Sequence, residues 1–173
     1  MQQASLQTQS VSNSLSVLPL VMATLCYVRS GSKTLFMHRN KRPDDVHFGK
    51  YNGLGGKFEA GESPEECVMR EVYEESGLRV SPQLRGIMTF PKFSKNRDWY
   101  CFLFTAESTS EAVKSDCPEG DLVWIENKKI LNLELWAGDK IFLSWLDQPY
   151  FFSAKFNYED GELLNHKVIF YER

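Results

Sequence analysis

Residues 56–78 read GKFEAGESPEECVMREVYEESGL, and the fold is decided inside them. Ser63 suits a helix N-cap and Pro64 the first helical position, while Glu66, three residues after Ser63, completes a capping box. Gly77 supplies the C-terminal stop, so the pattern predicts a helix over 64–76. Val68 and Val72, one turn apart, give it a buried stripe. Glu71, Glu74 and Glu75 stand at i, i+3 and i+4, and so share one face. Like charges at these spacings repel by roughly 0.2–0.5 kcal/mol per pair. Two arrangements tolerate that: a solvated acidic face, or a hard divalent cation ligated by carboxylate oxygen. The surroundings bear on the choice. Gly55-Gly56 precedes the helix, and glycines let backbone approach a ligand or metal closely. Glu62 lies in the intervening turn. Mg²⁺ uses carboxylates, waters and substrate phosphates together, so a glycine loop leading into a carboxylate helix is suited to hold it against a polyphosphate.

Residues 20–28 and 34–38 read as strands joined by Ser30-Gly31-Ser32-Lys33, a hairpin signature. A long polar connection follows over 40–50. Further strands are expected at 99–106, 122–126, 150–158 and 163–171, the last two flanking the turn Asp160-Gly161. A second helix is expected over 139–146, with Ile141, Phe142 and Trp145 on its apolar face. The expected class is α/β or α+β, a mixed sheet with packed helices. Residues 1–16, with four Gln and five Ser, read as a flexible polar tail, leaving 17–173 as one domain.

Composition narrows the function. With 20 basic and 23 acidic residues the net charge is −3, which argues against a general coat for nucleic-acid backbone. Cys26, Cys67, Cys101 and Cys117 form no C-x-x-C pair and read as buried reduced thiols. The apolar run 17–28 is too short for a bilayer span of about 20 residues. No Lys or Arg precedes Arg29, so the positive region of a secretion signal is missing. A cytoplasmic location is expected, with no membrane partner.

The 56–78 stretch resembles the Nudix box, G-x5-E-x7-R-E-U-x-E-E-x-G-U, through Gly56, Glu62, Arg70, Glu71, Val72, Glu74, Glu75, Gly77 and Leu78. A chance match at ordinary residue frequencies is on the order of 10⁻⁹ per window. The resemblance implies an α/β/α sandwich around a mixed sheet, and hydrolysis of a nucleoside diphosphate linked to another moiety. It implies Mg²⁺, with Mn²⁺ as a substitute, held by Glu71, Glu74, Glu75, the Gly55 carbonyl and, outside the box, Glu119. One of the box glutamates would position or deprotonate the attacking water. Arg70 and Glu62 would brace the carboxylates.

Across 20–171 the chain is similar to the MutT-type branch, in particular small bacterial 8-oxo-dGTP diphosphatases. The similarity is carried by LFMHRNKRPDDVHFGKYNGLGGK, TFPKF with DWYCFLF, LWAGDKIFLSWL and FFSAKF. It implies a small-molecule nucleotide substrate, no nucleic-acid duplex, and a monomer or homodimer. By the same resemblance Asn52 reads a purine edge, while Trp136 stacks on the base and Asp139 hydrogen-bonds it. Arg39 and Lys57 contact phosphate, Gly53 and Gly56 line the site with Gly55, and Thr24 forms part of the wall. On residue type alone, Asn52 also suits a turn, Trp136 a core, and Arg39, Lys57 and Glu119 a solvated surface. Trp99, Trp124 and Trp145 are assigned to the core. Where some relatives carry two consecutive acids after the tryptophan, this chain has Gly138 and one acid, Asp139.

Other chemistries find no support. There is no G-x-S-x-G elbow, no P-loop spacing, and no ligand spacing among His38, His47 and His166. Within the family the rivals are an ADP-ribose or nucleotide-sugar pyrophosphatase, a dihydroneopterin-triphosphate hydrolase and an RNA 5′-pyrophosphohydrolase. A non-catalytic binding module would carry degraded box carboxylates, and none is degraded. The box holds seven acids against two bases, whereas residues 29–50 hold six bases against two acids. The mild acidity is therefore local, beside a basic segment able to face a polyphosphate.

Overall fold

The computed structural model describes residues 20–172. The polar tail expected over 1–16 lies outside them. Eight strands form one mixed sheet: β1 (Leu20–Ser30), β2 (Lys33–His38), β3 (Tyr51–Asn52), β4 (Gln83–Ser94), β5 (Arg97–Glu107), β6 (Asp121–Glu126), β7 (Phe151–Glu159) and β8 (Glu162–Tyr171). The order is β3-β2-β1-β5-β4-β7-β8, with β6 on the other side of β2. The β1–β5 and β4–β7 pairs are parallel and the others antiparallel.

Both expected hairpins form. Ser30 pairs with Lys33 across Gly31-Ser32. Glu159 pairs with Glu162 across Asp160-Gly161, both at positive φ, as the right-handed twist of the flanking strands requires. The strand β4 was not foreseen. Gly86 and Pro91 interrupt its pattern, and its register against β5 shifts near both, between Leu84 and Gly86 and between Phe90 and Ser94. Bulges of this kind let a strand carry residues that a regular ladder rejects.

Helix α1 (Pro64–Ser76) has the expected bounds and capping box: Glu66 N–H donates to Ser63 Oγ (3.2 Å) and Ser63 N–H to Glu66 Oε2 (2.8 Å). Its buried stripe, Val68 and Val72, meets Cys26, Val28, Leu35 and Phe104 on one face of the sheet. The opposite face buries Tyr27, Phe36, Leu103, Phe152 and Phe156 beneath α2 (Ala137–Phe142) and a 3₁₀ turn, Leu143–Trp145. The result is three layers, the expected sandwich. The second helix, expected over 139–146, starts two residues earlier and its last turn tightens to 3₁₀. Its N-cap is Trp136, which makes no side-chain cap. The tryptophan's packing, not capping preference, sets the start.

One feature of the sheet creates the site. After the Arg29–Thr34 and Ser30–Lys33 pairs, β1 and β2 separate, and residues 51–58 enter the fork. On one side β3 pairs with Met37 and His38 of β2. On the other, Leu54 exchanges hydrogen bonds with Cys26, Thr24 N–H donates to Gly56 O (2.8 Å) and Phe58 N–H to Met22 O (3.2 Å). Gly55, at φ 142°, lies so close to β1 that a Cβ there would sit 2.3 Å from Thr24 O. Only glycine fits.

Candidate active site

The fork delivers the glycine loop to the N-terminal side of β1 and against α1, at the edge of a cleft of about 590 Å³. Glu75 is buried at 9% exposure, and its Oε2 accepts the Gly55 N–H at 2.9 Å. Burial, with Glu71 and Glu119 nearby, lifts its pKa to about 8. Glu71, half-buried, is raised as well, by burial and by the charges of Glu74 and Glu119. Glu74 is exposed. A Cβ on Gly56 would lie 2.5 Å from the Glu71 carboxyl, so the bare glycine leaves that carboxylate its space.

Arg70 braces this face. Its Nε and Nη2 donate to the two oxygens of Glu62 (2.6 and 2.9 Å), Nη1 to Glu71 (2.8 Å) and Glu74 (3.3 Å), and Nη2 also to Lys57 O (3.1 Å). The hydrogen bonds from Arg70 pull Glu62 down to about 2 and raise the guanidinium further. The planar fork suits this task, because each carboxylate oxygen meets its own N–H.

Glu119 faces the same cleft from the loop before β6 and accepts from Arg39 Nη1 (2.5 Å) and Arg42 Nη1 (2.7 Å). Arg39 is bonded on its other side to Asp45. Among the described residues no three His, Cys, Asp or Glu side chains converge into a ready-made metal cage. Glu62, Glu71, Glu74, Glu75 and Glu119 are each held by a protein donor. The donor set nevertheless suits a hard divalent cation: several carboxylates raise one another's pKa across a cradle that a single methyl group would fill.

The far end of the cleft is aromatic. Trp136 is held edge-on to Phe93 (centroids 5.4 Å), Tyr158 (5.7 Å) and His47 (5.9 Å), and its Nε1 donates to His47 Nδ1 at 2.9 Å. Burial lowers the His47 pKa, which keeps that nitrogen free to accept. Asp139, in the first turn of α2, is buried beside these groups. Burial raises it to about 8, against a modest opposing pull from Lys50. Asn52 lines the cleft with a buried, unpartnered Oδ1.

The cleft therefore brings together Arg39, Asn52, Gly53, Gly55, Gly56, Lys57, Glu71, Glu119, Trp136 and Asp139. Thr24 lines it too, but its hydroxyl lies 3.6 Å from Cys67 Sγ, on the α1 side of β1. Trp99 departs from its core assignment: it lines the cleft, with Lys57 Nζ 5.6 Å from its ring centre. Its side was set by the Val21–Trp99 register of the parallel β1–β5 pair, which no local pattern encodes. His47 and Arg42 were also missed as cleft residues. Trp124 and Trp145 pack against the two core clusters as expected, and all four cysteines are buried and free.

A mixed sheet between helices, with a braced carboxylate helix beside a glycine loop, defines a class of proteins built to hold a hard cation between helix and loop. The family comparison is narrower: residues 19–146 match the NUDIX domain, and the chain belongs to the Nudix hydrolases. It is 33% identical over 133 residues to the uncharacterised Nudix hydrolase YvcI of Bacillus subtilis, covering 73% of this chain and 79% of that one. It is 30% identical over 123 residues to the oxidized purine nucleoside triphosphate hydrolase of Danio rerio, covering 69% and 78%. The crystal structure of a mutator MutT protein from Bacillus halodurans superposes with a TM-score of 0.74 at 33% identity, over 86% of this chain and 97% of that one. Among the described residues no helix is long and apolar enough to cross a membrane.

Proposed function

We propose that this Nudix hydrolase cleaves oxidised purine nucleoside triphosphates, 8-oxo-dGTP first among them, to the monophosphate and pyrophosphate. The observation that carries the reading is one cleft with two unlike ends, a carboxylate helix at one and, at the other, a tryptophan beside a buried acid and an amide whose oxygen has no partner. The similarity to the oxidized purine hydrolase of Danio rerio supports it.

In this reading the base lies on Trp136, whose ring is fixed by His47, Phe93 and Tyr158. Asp139, protonated near neutral pH, offers one donor and one acceptor, and the Asn52 amide offers both as well. A purine edge that alternates donor and acceptor is matched by that pair. The polyphosphate runs over Gly55 and Gly56 towards Lys57 and Arg39. Glu71, Glu74 and Glu75, with Glu119 and the Gly55 carbonyl, would hold Mg²⁺ or Mn²⁺. The ion supplies charge neutralisation on the phosphoryl oxygens and a more acidic water. The protein positions that water with a box glutamate and excludes bulk solvent from the buried side of the cleft, since phosphoryl transfer is mainly positioning and electrostatics.

The test is a Mg²⁺-dependent hydrolysis panel with product identification, run on 8-oxo-dGTP, dGTP, ADP-ribose and a 5′-triphosphate RNA. The expected result is the highest kcat/KM on 8-oxo-dGTP, with pyrophosphate released. Preference for ADP-ribose or RNA by orders of magnitude would overturn the reading.

A further inference from the structure

The cations around the cleft differ in how they are neutralised. Arg39 is held by Asp45 and Glu119, and Arg42 by Glu119. Lys57 rests over the Trp99 ring. Arg97 also lines the cleft, yet it makes no ion pair among the described residues, and its Nε is buried without a hydrogen-bond partner. The Trp99 Nε1, two residues along the same strand, is buried and unpartnered as well. Buried donors are nearly always satisfied, so a pair of orphans on one wall calls for an explanation.

The placement of these donors follows from the strand. Side chains at 97, 99 and 101 of β5 point to one side, and all three line the cleft. Ser94 pairs with Arg97 across Lys95-Asn96, both at positive φ (52° and 51°). Two consecutive left-handed residues without a glycine are unfavourable, and such conformations persist where the surroundings over-determine them. The tight turn sets Arg97 at the start of β5, on the cleft side rather than in a loop.

We propose that Arg97 and Trp99 form an anion subsite of the cleft, in which the guanidinium and the indole N–H donate to phosphoryl oxygens of the substrate's polyphosphate. Neither Arg97 Nε nor Trp99 Nε1 has a protein acceptor among the described residues. Lys57, lying over Trp99, connects this wall to the glycine loop, so a chain of phosphates passing Gly56 and Lys57 reaches it. The subsite deepens the hydrolase reading by assigning recognition of the phosphate chain to the β4–β5 hairpin. It rests on that reading only for the identity of the nucleoside.

The experiment measures inorganic pyrophosphate binding by calorimetry in the presence of chelator, with full-length protein, and guanosine binding alongside it. Arg97→Gln should weaken pyrophosphate at least 10-fold, the scale of a lost charge-assisted hydrogen bond. Trp99→Phe keeps the aromatic surface beneath Lys57 but loses the N–H, and should weaken it roughly 3- to 10-fold. Guanosine affinity should stay within about 2-fold in both, as expected for contacts to phosphate alone. Arg79→Gln removes the same charge from a guanidinium stacked on Tyr73 in α1, and should leave pyrophosphate binding unchanged. Should Arg97→Gln fail to fold, Trp99→Phe and Arg97→Lys, which keeps the charge without the planar fork, carry the test. Unchanged pyrophosphate affinity in folded Arg97 and Trp99 variants overturns the proposal. Equal losses for guanosine, or for Arg79→Gln, overturn it too. A hydrolysis panel that favours another nucleotide would sink the substrate reading while leaving this subsite standing.

Discussion

At the scale of single residues, Asp139 has the most consequential environment. It is buried, and burial takes its pKa from 3.8 to about 8. Between those values the folded protein retains a proton that the unfolded chain releases. Stability therefore falls as pH rises from about 4 to about 8 and then levels off. Asp139→Asn removes that slope, so the difference in Tm between variant and parent should widen across the window in thermal melts. A constant difference would mean the carboxyl is solvated. If the same group reads the base, Asp139→Asn should also raise KM for 8-oxo-dGTP more than for dGTP, and equal effects would argue against that role. Arg70 is the structural counterpart. Arg70→Gln breaks the paired bonds to Glu62 and the bond to Lys57 O, and should lower stability by about 1–3 kcal/mol in chemical denaturation. Arg70→Lys should not rescue it, because an ammonium cannot reproduce the fork. Gly56→Ala pushes a methyl group into the Glu71 carboxyl, and kcat should drop at least about 10-fold, the effect expected when a catalytic group is misplaced by an ångström.

Among the elements, α1 was the most legible because its signals are local: cap, Pro, apolar stripe and glycine stop all lie within sixteen residues of one another. Ser63→Ala should cost about 1 kcal/mol of stability while leaving kcat nearly unchanged, since the cap lies at the opposite end of the helix from Glu74 and Glu75. A large loss of kcat in that variant would mean the cap also positions the carboxylates. The box carboxylates could be named from spacing alone because a helix converts spacing into a shared face. The strand β4 could not, since its two bulges erase the period-two pattern. The wall formed by Trp99 could not either. Which side a β5 residue faces depends on pairing with β1, more than seventy residues away. The start of α2 was misplaced for a related reason: Trp136 is fixed by His47, Phe93 and Tyr158, three partners from three other segments.

Across the whole molecule, charge is distributed unevenly. The overall −3 hides a −5 box whose glutamates disfavour one another's ionisation. A divalent cation should therefore stabilise the fold as well as support turnover. Mg²⁺ at roughly a hundred times its Kd adds about 2.7 kcal/mol by mass action, readable as a rise in Tm over chelator. Sodium chloride at equal ionic strength should give a much smaller rise, and Glu75→Gln should shrink the magnesium effect. Identical shifts with both salts would show that the carboxylates do not act as a cation site. The forked hairpin has a different consequence, for how this chain tolerates changes in length. Residues 51–58 are bonded on one side to β2 and on the other to β1. A single inserted residue there would shift each bond beyond it and turn the loop's carbonyls away from the cleft. Within the connection over 40–50, Arg42, Asp45 and His47 are held by side-chain contacts to Glu119, Arg39 and Trp136, so residues added between Arg42 and Asp45, at the turn, leave both ladders and these contacts in place. Lineages descended from this sequence should accumulate insertions and deletions in the latter stretch, with the former fixed in length even as its side chains drift.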